Sequence, residues 1–343
     1  MVKVGSSLFC SAGRLDSSRV EHIAGEISAL VKDGKEIILV TSGAIALGMS
    51  ALNLTSRPKD LALLQAAAAV GQHELMDSYR RFFSKARLNC GQVLLTWDDF
   101  DQRLRYLNAK NTLLTLLKLN VIPVINENDT ISTEEIKFGD NDRLSALVAS
   151  LVGADLLIIL SDVEGLLDAN KQVIRLVDKI TPAIRSLACP TYKKTCVGGM
   201  VTKLEAARIA ADSGIACVIA SGQKKGVIAK AIENPLAAGT LFAAKEESLG
   251  SKERWMAFSA KTKGQIIVDD GAKRAVENKK SLLSVGVVGL EGNFDRADIV
   301  SIRDKGGVEF ARGKVRLSAK ELDRVKGARH DKEVIHRDDI VLL

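Results

Sequence analysis

The first 220 or so residues alternate short apolar runs with longer segments of helical periodicity, and this alternation limits the chain to few folds. Several short runs, such as IILV and LLIIL, are continuously apolar, which is typical of strands covered on both faces. Strand–helix alternation of this kind predicts an α/β fold, a mostly parallel sheet sandwiched by helices. The predicted strands are Met1–Val4, Glu36–Val40, Gln92–Leu95, Val121–Ile125, Leu156–Leu160 and Cys217–Ala220.

Helices are predicted between these strands from their apolar periodicity. Ser17 and Ser18 are suitable N-caps for the first helix, and Gly34 is placed to end it. In such sheets ligands bind beyond the carboxyl ends of the strands. The predicted helices are Ser18–Asp33, Leu61–Ala86, Leu104–Leu119, Asn141–Val152 and Thr202–Ser213.

The pattern changes in the last quarter of the chain. From Thr262 the apolar runs are short and punctuated by glycine, as in GQIIVDDGA and SLLSVGVVGLEGNF, which predicts a small β-rich domain. The preceding segment Ala243–Arg254 is polar and charged, as linkers are. We therefore predict a first domain at 1–243, a linker at 244–261 and a second domain at 262–343.

Composition excludes several classes of protein. None of the apolar runs reaches the ~18 residues that span a bilayer, and the first residues, MVKVGSSLF, lack the pattern of a signal peptide. The five cysteines form no CxxC pair, which argues against a disulfide framework or a zinc site and for the reducing cytoplasm. The four histidines are too scattered for a His-based metal centre, and no metal-ligating residue is predicted. A net charge of +7 favours phosphate ligands without indicating nucleic acid.

Two glycine-containing segments predict anion sites, although neither a Walker A nor a GxGxxG sequence occurs. Lys3 lies in the first strand directly before Gly-Ser-Ser, where backbone N–H groups can hold a phosphate. Gly198 and Gly199 lead into a helix with Lys203 in its first turn, where a cation opposes the helix dipole unless an anion compensates it. The alternatives are an edge-strand lysine before a turn, and a Gly-Gly hinge beside a surface lysine.

Polar clusters follow three other predicted strands. The segments 126–129 and 139–143 are rich in Asp, Glu and Asn, and uncompensated carboxylates indicate a bound cation or cationic group. Asp140 has the alternative role of a helix cap. The segment 41–45 permits close approach of a ligand, and 161–166 suits a loop beneath a base or ribose; ordinary turns are the alternative for both. Two lysines and several anion sites facing a carboxylate-rich patch predict phosphoryl transfer.

Five motifs together resemble the glutamate 5-kinase family of the amino-acid kinase superfamily: KVGSS at 3–7, VTSGAIALG at 40–48, VIPVINENDT at 121–130, KFGDNDRLSALVA at 137–149 and GGMVTK at 198–203. The last domain, with VIHRDDIVLL at its end, resembles a PUA domain. The resemblance implies ATP-dependent phosphorylation of the side-chain carboxylate of L-glutamate to L-glutamyl 5-phosphate, the first step of proline biosynthesis. It implies ATP, with Mg²⁺ bound mainly through the nucleotide.

The resemblance also implies roles for individual residues. Lys3 and Lys203 would contact the ATP phosphates, and Asp142 would hold both lysines in place. The family usually shows threonine where this chain has Ser161 and Val197. Val197 has no hydroxyl to contribute, although its backbone N–H remains. The residues implied for glutamate are Ser42, Asp129 and Asn141, with Asp129 pairing with the α-ammonium. The residues implied for the nucleotide are Lys3, Ser161, Asp162, Val197, Gly198, Gly199, Met200, Val201, Thr202 and Lys203.

Further expectations concern the catalytic groups, the partners and the alternative functions of this protein. The acceptor carboxylate, with a pKa near ~4.3, is already ionised at neutral pH, so no catalytic histidine is required. The family implies a homo-oligomer. Residues 262–343 hold 17 Lys and Arg against 14 Asp and Glu, a charge that does not favour RNA binding by the PUA-like domain. The alternatives are another kinase of the superfamily, such as one acting on acetylglutamate, or an RNA-binding protein on a kinase scaffold.

Overall fold

A computed structural model describes residues 1–11, 14–132, 141–188, 199–246 and 249–343. The chain divides into two compact units. The first consists of residues 1–99 and 103–248, and the second of residues 100–102 and 249–343. The second unit therefore takes in residues 249–261 of the segment that the sequence assigns to a linker.

The first unit is built on a sheet to which eight of the described strands contribute, in the order β5-β6-β4-β1-β7-β9-β10-β8. Neighbouring strands are parallel except β9 and β10, and β2 pairs with β3 apart from this sheet. The six predicted strands are confirmed, and with them the mostly parallel sheet. The strands are β1 Val2–Val4, β2 Cys10–Ser11, β3 Arg14–Leu15, β4 Leu39–Val40, β5 Asn89–Leu95, β6 Val121–Glu127, β7 Leu156–Ser161, β8 Leu176–Val177, β9 Ala216–Ser221 and β10 Gly239–Phe242.

The five predicted helices are also present, each within two residues of its predicted ends. One prediction was wrong: the N-cap of α2 is Asp16, whose side chain accepts from the Arg19 N–H at 3.1 Å, rather than Ser17 or Ser18. Gly34, at φ +82°, follows the end of this helix as predicted. The helices are α1 Ser6–Phe9, α2 Ser17–Lys32, α3 Ala44–Ala51, α4 Leu61–Lys85, α5 Trp97–Asp101, α6 Arg103–Lys118, α7 Asn141–Val152, α8 Pro182–Leu187, α9 Met200–Asp212, α10 Val227–Glu233 and α11 Pro235–Ala238.

The sheet brings the carboxyl ends of several strands together. Strand β1 lies between β4 and β7, with Lys3 in register with Val40 and Ile159. The apolar side chains of β1 and β7 and the inner face of α2 belong to one buried core. Residues that follow β1, β4, β6 and β7 therefore meet at one edge of a rigid sheet.

Helices α3 and α4 cross so closely that each needs a glycine at the contact. A Cβ on Gly71 of α4 would lie 1.9 Å from the carbonyl oxygen of Ala44, the first residue of α3. A Cβ on Gly48 of α3 would lie 1.7 Å from the carbonyl oxygen of Ala67. Because backbone cannot yield as a flexible side chain does, this contact fixes where α3 begins, directly after Ser42 and Gly43.

Gly71→Ala should therefore destabilise the protein by about 1–3 kcal/mol or more, although alanine is the better helix former. The matched control is Gly25→Ala in α2, where an added Cβ meets nothing within 4 Å. That substitution should raise stability by up to about 1 kcal/mol. Thermal unfolding of both variants measures the difference, and a Gly71→Ala protein as stable as the parent would contradict the tight crossing.

The second unit contains a five-stranded sheet in the order β12-β11-β13-β14-β15, which confirms the predicted small β-rich domain. The segment before it is itself folded, since α12 is followed by a π-helix at Trp255–Ser259 in which Met256 and Phe258 are buried. The strands are β11 Gly264–Val268, β12 Val287–Gly292, β13 Ile299–Arg303, β14 Glu309–Lys314 and β15 Ile340–Leu342. The helices are α12 Ser251–Arg254, α13 Asp270–Glu277 and α14 Ala319–Val325, with 3₁₀ turns at Ser284–Gly286 and Arg337–Asp339.

Among the helices of the described residues, none is both long enough and apolar enough to cross a bilayer.

Candidate active site

Two lysines that are 200 residues apart in the sequence meet on one carboxylate. Lys3 lies in β1, Lys203 in the first turn of α9, and Asp142 in the first turn of α7. Lys3 Nζ is 2.5 Å from Asp142 Oδ1, and Lys203 Nζ is 3.1 Å from Asp142 Oδ2. The two lysines implied by the motifs therefore occupy a single site.

The cluster is buried and carries a net positive charge. Lys3, Asp142 and Lys203 are 5%, 4% and 9% exposed. Burial alone would raise the pKa of the Asp142 carboxyl, but the ammonium groups of Lys3 and Lys203 and a hydrogen bond from Thr202 outweigh it and hold that pKa below its ordinary value. Asp142 is thus an anion at neutral pH, and two ammonium groups against one carboxylate leave one positive charge uncompensated.

The ammonium groups also have unused hydrogen-bond donors. Each carries three N–H bonds. Among the described residues, Asp142 Oδ1 is the one acceptor for Lys3, and Lys203 is bonded to Asp142 Oδ2 and, at 3.4 Å, to the Gly199 carbonyl. Because buried donors are nearly always satisfied, an anion with several acceptor oxygens fits here. A phosphate group has both properties.

Asn141, next to Asp142, is also buried, at 6% exposed. Its Nδ2 donates to the carbonyl of Thr41 and to Asn126 Oδ1, each at 2.9 Å. Its Oδ1 is buried and has no partner in the described parts of the chain. Ser42 follows Thr41, and its hydroxyl donates to the Val4 carbonyl at 2.8 Å. These contacts join the ends of β1, β4 and β6 to the start of α7.

Asp129 lies half-buried in the turn that follows β6. Burial raises the pKa of its carboxyl to about 6, and Arg57 offsets part of this rise. The ionised form is therefore destabilised in the free protein at neutral pH. A cationic ligand group would remove that penalty, so the carboxylate suits an ammonium group.

The remaining predicted residues lie at the ends of β7 and at the start of α9. The Ser161 hydroxyl is buried and donates to the exposed Asp162 carboxylate at 2.9 Å. Gly199, at φ +70°, precedes α9, whose first N–H groups receive no side-chain cap from it. Met200, Val201 and Thr202 are half-buried in the first turn of that helix. Val197 and Gly198, like the segment 139–140, lie outside the described residues.

Thr202, one of the predicted nucleotide residues, and Gln72, which was not predicted, also belong to this arrangement. The Thr202 hydroxyl donates to Asp142 Oδ2 at 2.8 Å, so it helps to orient the carboxylate that binds both lysines. Gln72 of α4 accepts a hydrogen bond from Asn126. Sequence reasoning missed Gln72, although Gln65 and Gln72 are seven residues apart beside the buried face of α4, a spacing at which polar side chains are unusual.

No group of three His, Cys, Asp or Glu side chains within the described ranges is arranged to hold a metal ion. The site offers ammonium, amide and hydroxyl groups beside the carboxylates of Asp129 and Asp142. Ammonium, amide N–H and hydroxyl groups are donors suited to a polyanion.

Comparison with known proteins covers both units. Residues 1–221 match the model of the amino acid kinase family, and residues 264–337 match that of the PUA domain. The glutamate 5-kinase of Caldanaerobacter subterraneus subsp. tengcongensis is 45% identical over all of this chain and 97% of its own length. The glutamate 5-kinases of Moorella thermoacetica and Paraburkholderia phymatum are each 43% identical over all of this chain and cover 96% and 97% of their own lengths.

Proposed function

The chain belongs to the amino acid kinase family, and we propose that it transfers the terminal phosphoryl group of ATP to the side-chain carboxylate of L-glutamate, forming L-glutamyl 5-phosphate for proline biosynthesis. The resemblance to glutamate 5-kinases with a PUA domain is confirmed, because relatives of that name align with the whole chain at 41–45% identity. Both units contribute to this match.

The observation that carries the proposal is the convergence of Lys3 and Lys203 on Asp142. Phosphoryl transfer needs little covalent participation by the protein, and its barrier falls mainly through positioning and neutralisation of charge. Two buried ammonium groups held by one carboxylate are preorganised for this purpose, since they do not have to move when the reaction begins.

In the reaction a side-chain carboxylate oxygen of glutamate attacks the γ-phosphorus of ATP. The bond between this phosphorus and the β,γ-bridging oxygen breaks, ADP leaves, and an acyl phosphate forms. The attacking group is already ionised, so no base is needed. The difficulty is the approach of two anions, which Lys3 and Lys203 screen. Mg²⁺ bound through the nucleotide would neutralise further phosphate charge.

Site roles follow from this assignment. Lys3 and Lys203 act on the transferred phosphoryl group, and Asp142 holds them in position. Ser42, Asp129 and Asn141 bind glutamate, with the Asp129 carboxylate on the α-ammonium. The nucleotide is assigned to Ser161 and Asp162 at the end of β7 and to Gly199, Met200, Val201, Thr202 and Lys203 at the start of α9. Val197 and Gly198, which lie outside the described residues, are assigned to it from the sequence.

A substrate panel tests the function. The purified protein is assayed for ADP release with L-glutamate, N-acetylglutamate and L-aspartate, and hydroxylamine trapping identifies an acyl phosphate product. Turnover of L-glutamate should exceed that of the other acceptors, and a hydroxamate should form. Equal or better turnover of N-acetylglutamate would favour the related kinase, and salt-sensitive RNA binding without ATP turnover would favour the RNA-binding alternative.

Asp129→Asn should raise KM for glutamate about 10- to 100-fold with little change in KM for ATP, because a hydrogen bond to a charged group contributes about 1.5–3 kcal/mol. In the parent protein KM for glutamate should rise as the pH falls through about 6, where the Asp129 carboxyl takes up a proton. The variant should lack this pH dependence. Initial rates at pH 5–8 measure both effects.

The same substitution should stabilise the ligand-free protein. A carboxyl with a raised pKa contributes most to stability below its unfolded pKa and loses that contribution as the pH rises through its folded pKa of about 6. At pH 8 the ionised carboxylate therefore costs about 3 kcal/mol, which Asp129→Asn removes. The control is Asp60→Asn at the N-cap of α4, which should leave stability nearly unchanged because asparagine caps as well.

In the kinetic test of Asp129→Asn, equal rises in KM for glutamate and in KM for ATP would contradict the ammonium contact.

Three expectations remain predictions. The resemblance implies a homo-oligomer, and the absence of CxxC pairs supports a cytoplasmic location. The low net charge of residues 262–343 makes an architectural or regulatory role for the PUA domain our proposal in preference to RNA binding.

A further inference from the structure

A chain of side-chain amides runs from the candidate glutamate site to helix α4. Asn141 Nδ2 donates to Asn126 Oδ1 at 2.9 Å, and Asn126 Nδ2 donates to Gln72 Oε1 at 2.8 Å. Asn141 Nδ2 also donates to the carbonyl of Thr41 at 2.9 Å. Three elements of the site, α7, β6 and α4, are thus joined through their amide groups.

One backbone carbonyl determines which way each amide in this row is oriented. The Thr41 carbonyl can only accept, so Asn141 must present its nitrogen to it. The same nitrogen faces Asn126, which must therefore present its oxygen. The Asn126 nitrogen then faces Gln72, which must present Oε1. No amide in the chain can rotate by half a turn without placing two donors or two acceptors against each other.

Gln72 Nε2 is the last donor in this row of amides. It is buried, and among the described residues it has no hydrogen-bond partner. Asn141 Oδ1, the acceptor at the other end of the row, is also buried and has no partner among those residues. Buried amide atoms without partners are rare in folded proteins and point to a missing ligand or an internal water. A donor at one end and an acceptor at the other match the carboxylate and the ammonium group of an amino acid.

We propose that Gln72 is a specificity-determining residue whose Nε2 donates to the α-carboxylate of the acceptor amino acid. This inference rests on the proposed function, which assigns Asp129 and Asn141 to the same substrate. The amide chain gives Gln72 a fixed orientation, so the donor is in place before the substrate binds. Preorganisation of this kind increases selectivity because little side-chain freedom is lost on binding.

Two substitutions test the proposal, since they separate a ligand contact from a structural role. Gln72→Met removes both the acceptor for Asn126 and the donor. Gln72→Glu keeps an acceptor for Asn126 but places a carboxylate where the donor was. A contact with the α-carboxylate predicts that KM for glutamate rises about 10- to 100-fold in Gln72→Met and further in Gln72→Glu, with kcat and KM for ATP nearly unchanged.

A purely structural role, or an internal water at Nε2, predicts the reverse order. Gln72→Glu, which retains the bond to Asn126, would then be closer to the parent than Gln72→Met. The competitive inhibition constant of 4-aminobutanoate, which is glutamate without its α-carboxylate, provides a second readout. If Gln72 contacts the α-carboxylate, the inhibition constant of 4-aminobutanoate should not rise in either Gln72 variant. General damage to the site would raise this inhibition constant together with KM for glutamate.

The matched control is Gln65→Met, one heptad earlier on α4, where the side-chain nitrogen already donates to the Ser132 carbonyl at 3.2 Å. This variant should leave KM for glutamate within about twofold of the parent. Unchanged KM in both Gln72 variants, or a smaller rise in Gln72→Glu than in Gln72→Met, would overturn the inference. Failure of the proposed function is distinguishable, because the parent protein itself would then fail to phosphorylate glutamate.

Discussion

Replacing Lys203 with alanine is expected to lower kcat by a factor on the order of 10²–10³, by analogy with the loss of one preorganised electrostatic partner. Lys203 is nine-tenths buried, and its Nζ lies 3.1 Å from Asp142 Oδ2. The phosphoryl group would lose one of two cations that neutralise it during transfer. Because this interaction strengthens as charge develops, the effect should fall on kcat more than on KM for ATP.

The matched control is Lys245→Ala, which also removes one positive charge and one ion pair. Lys245 Nζ lies 2.5 Å from Asp212 Oδ1, but its side chain is 60% exposed. Exposed ion pairs contribute little, so kcat should stay within about twofold of the parent. Steady-state kinetics at saturating glutamate, with a melting curve for each protein, separates lost catalysis from lost fold. A nearly normal kcat for a folded Lys203→Ala protein would refute the role of this lysine.

The convergence of Lys3 and Lys203 is the part of the site that sequence reasoning anticipated best. Lys3 lies in the first strand directly before Gly-Ser-Ser, and Lys203 lies in the first turn of a helix that follows two glycines. Both patterns place a side chain at the carboxyl edge of a parallel sheet. The sheet and helix predictions were confirmed because buried parallel strands and long amphipathic helices have strong periodic signals. The role of Asp142 was implied by the family resemblance, whereas its place in the acidic segment 139–143 predicted only a cation or a cationic group nearby.

Other features depend on contacts that no local pattern encodes. Helix α3, AIALGMSA, is almost wholly apolar, so it has little periodicity and the sequence predicts no helix there. Strands β8 and β10 have only two and four residues and lie at the end of the sheet. The orientation of Gln72 follows from the Thr41 carbonyl through two intervening side chains. These hydrogen bonds join residues that are far apart in the sequence, so they can be recognised only once β4, β6, α4 and α7 are in place.

Asp142→Asn is expected to have the second large effect, and this effect is on stability as well as on rate. The amide keeps the shape of the carboxylate but loses its charge and turns an N–H group toward one of the lysines. Removing one partner of a buried ion pair costs about 3–5 kcal/mol, because the other charge remains buried without compensation. For a unit of this size we expect Tm to fall by roughly 10 °C.

The dependence of Tm on ATP and on pH identifies the lost charge of Asp142 as the cause of the lower Tm. ATP supplies the missing negative charge, so it should raise the Tm of Asp142→Asn more than that of the parent. The pH dependence has a defined sign. The folded pKa of Asp142 lies below its ordinary value, so its contribution to stability is complete above the unfolded pKa and is lost as the pH falls through the folded pKa. The difference in Tm between the two proteins should therefore be constant at neutral pH and narrow in acid.

Asp212→Asn is the comparison that separates the effect of burying an ion pair from the effect of losing one negative charge. Asp212 also contacts two cations, Lys245 at 2.5 Å and Arg208 at 3.5 Å, but these side chains are 60% and 37% exposed. Its replacement should cost at most about 1 kcal/mol. If the two variants lost equal stability, or if ATP stabilised Asp142→Asn no more than the parent, the carboxylate would not be holding the lysines for a polyanion. The arrangement would then be an ordinary buried ion pair, and the assignment of Lys3 and Lys203 to phosphoryl transfer would lose its physical basis.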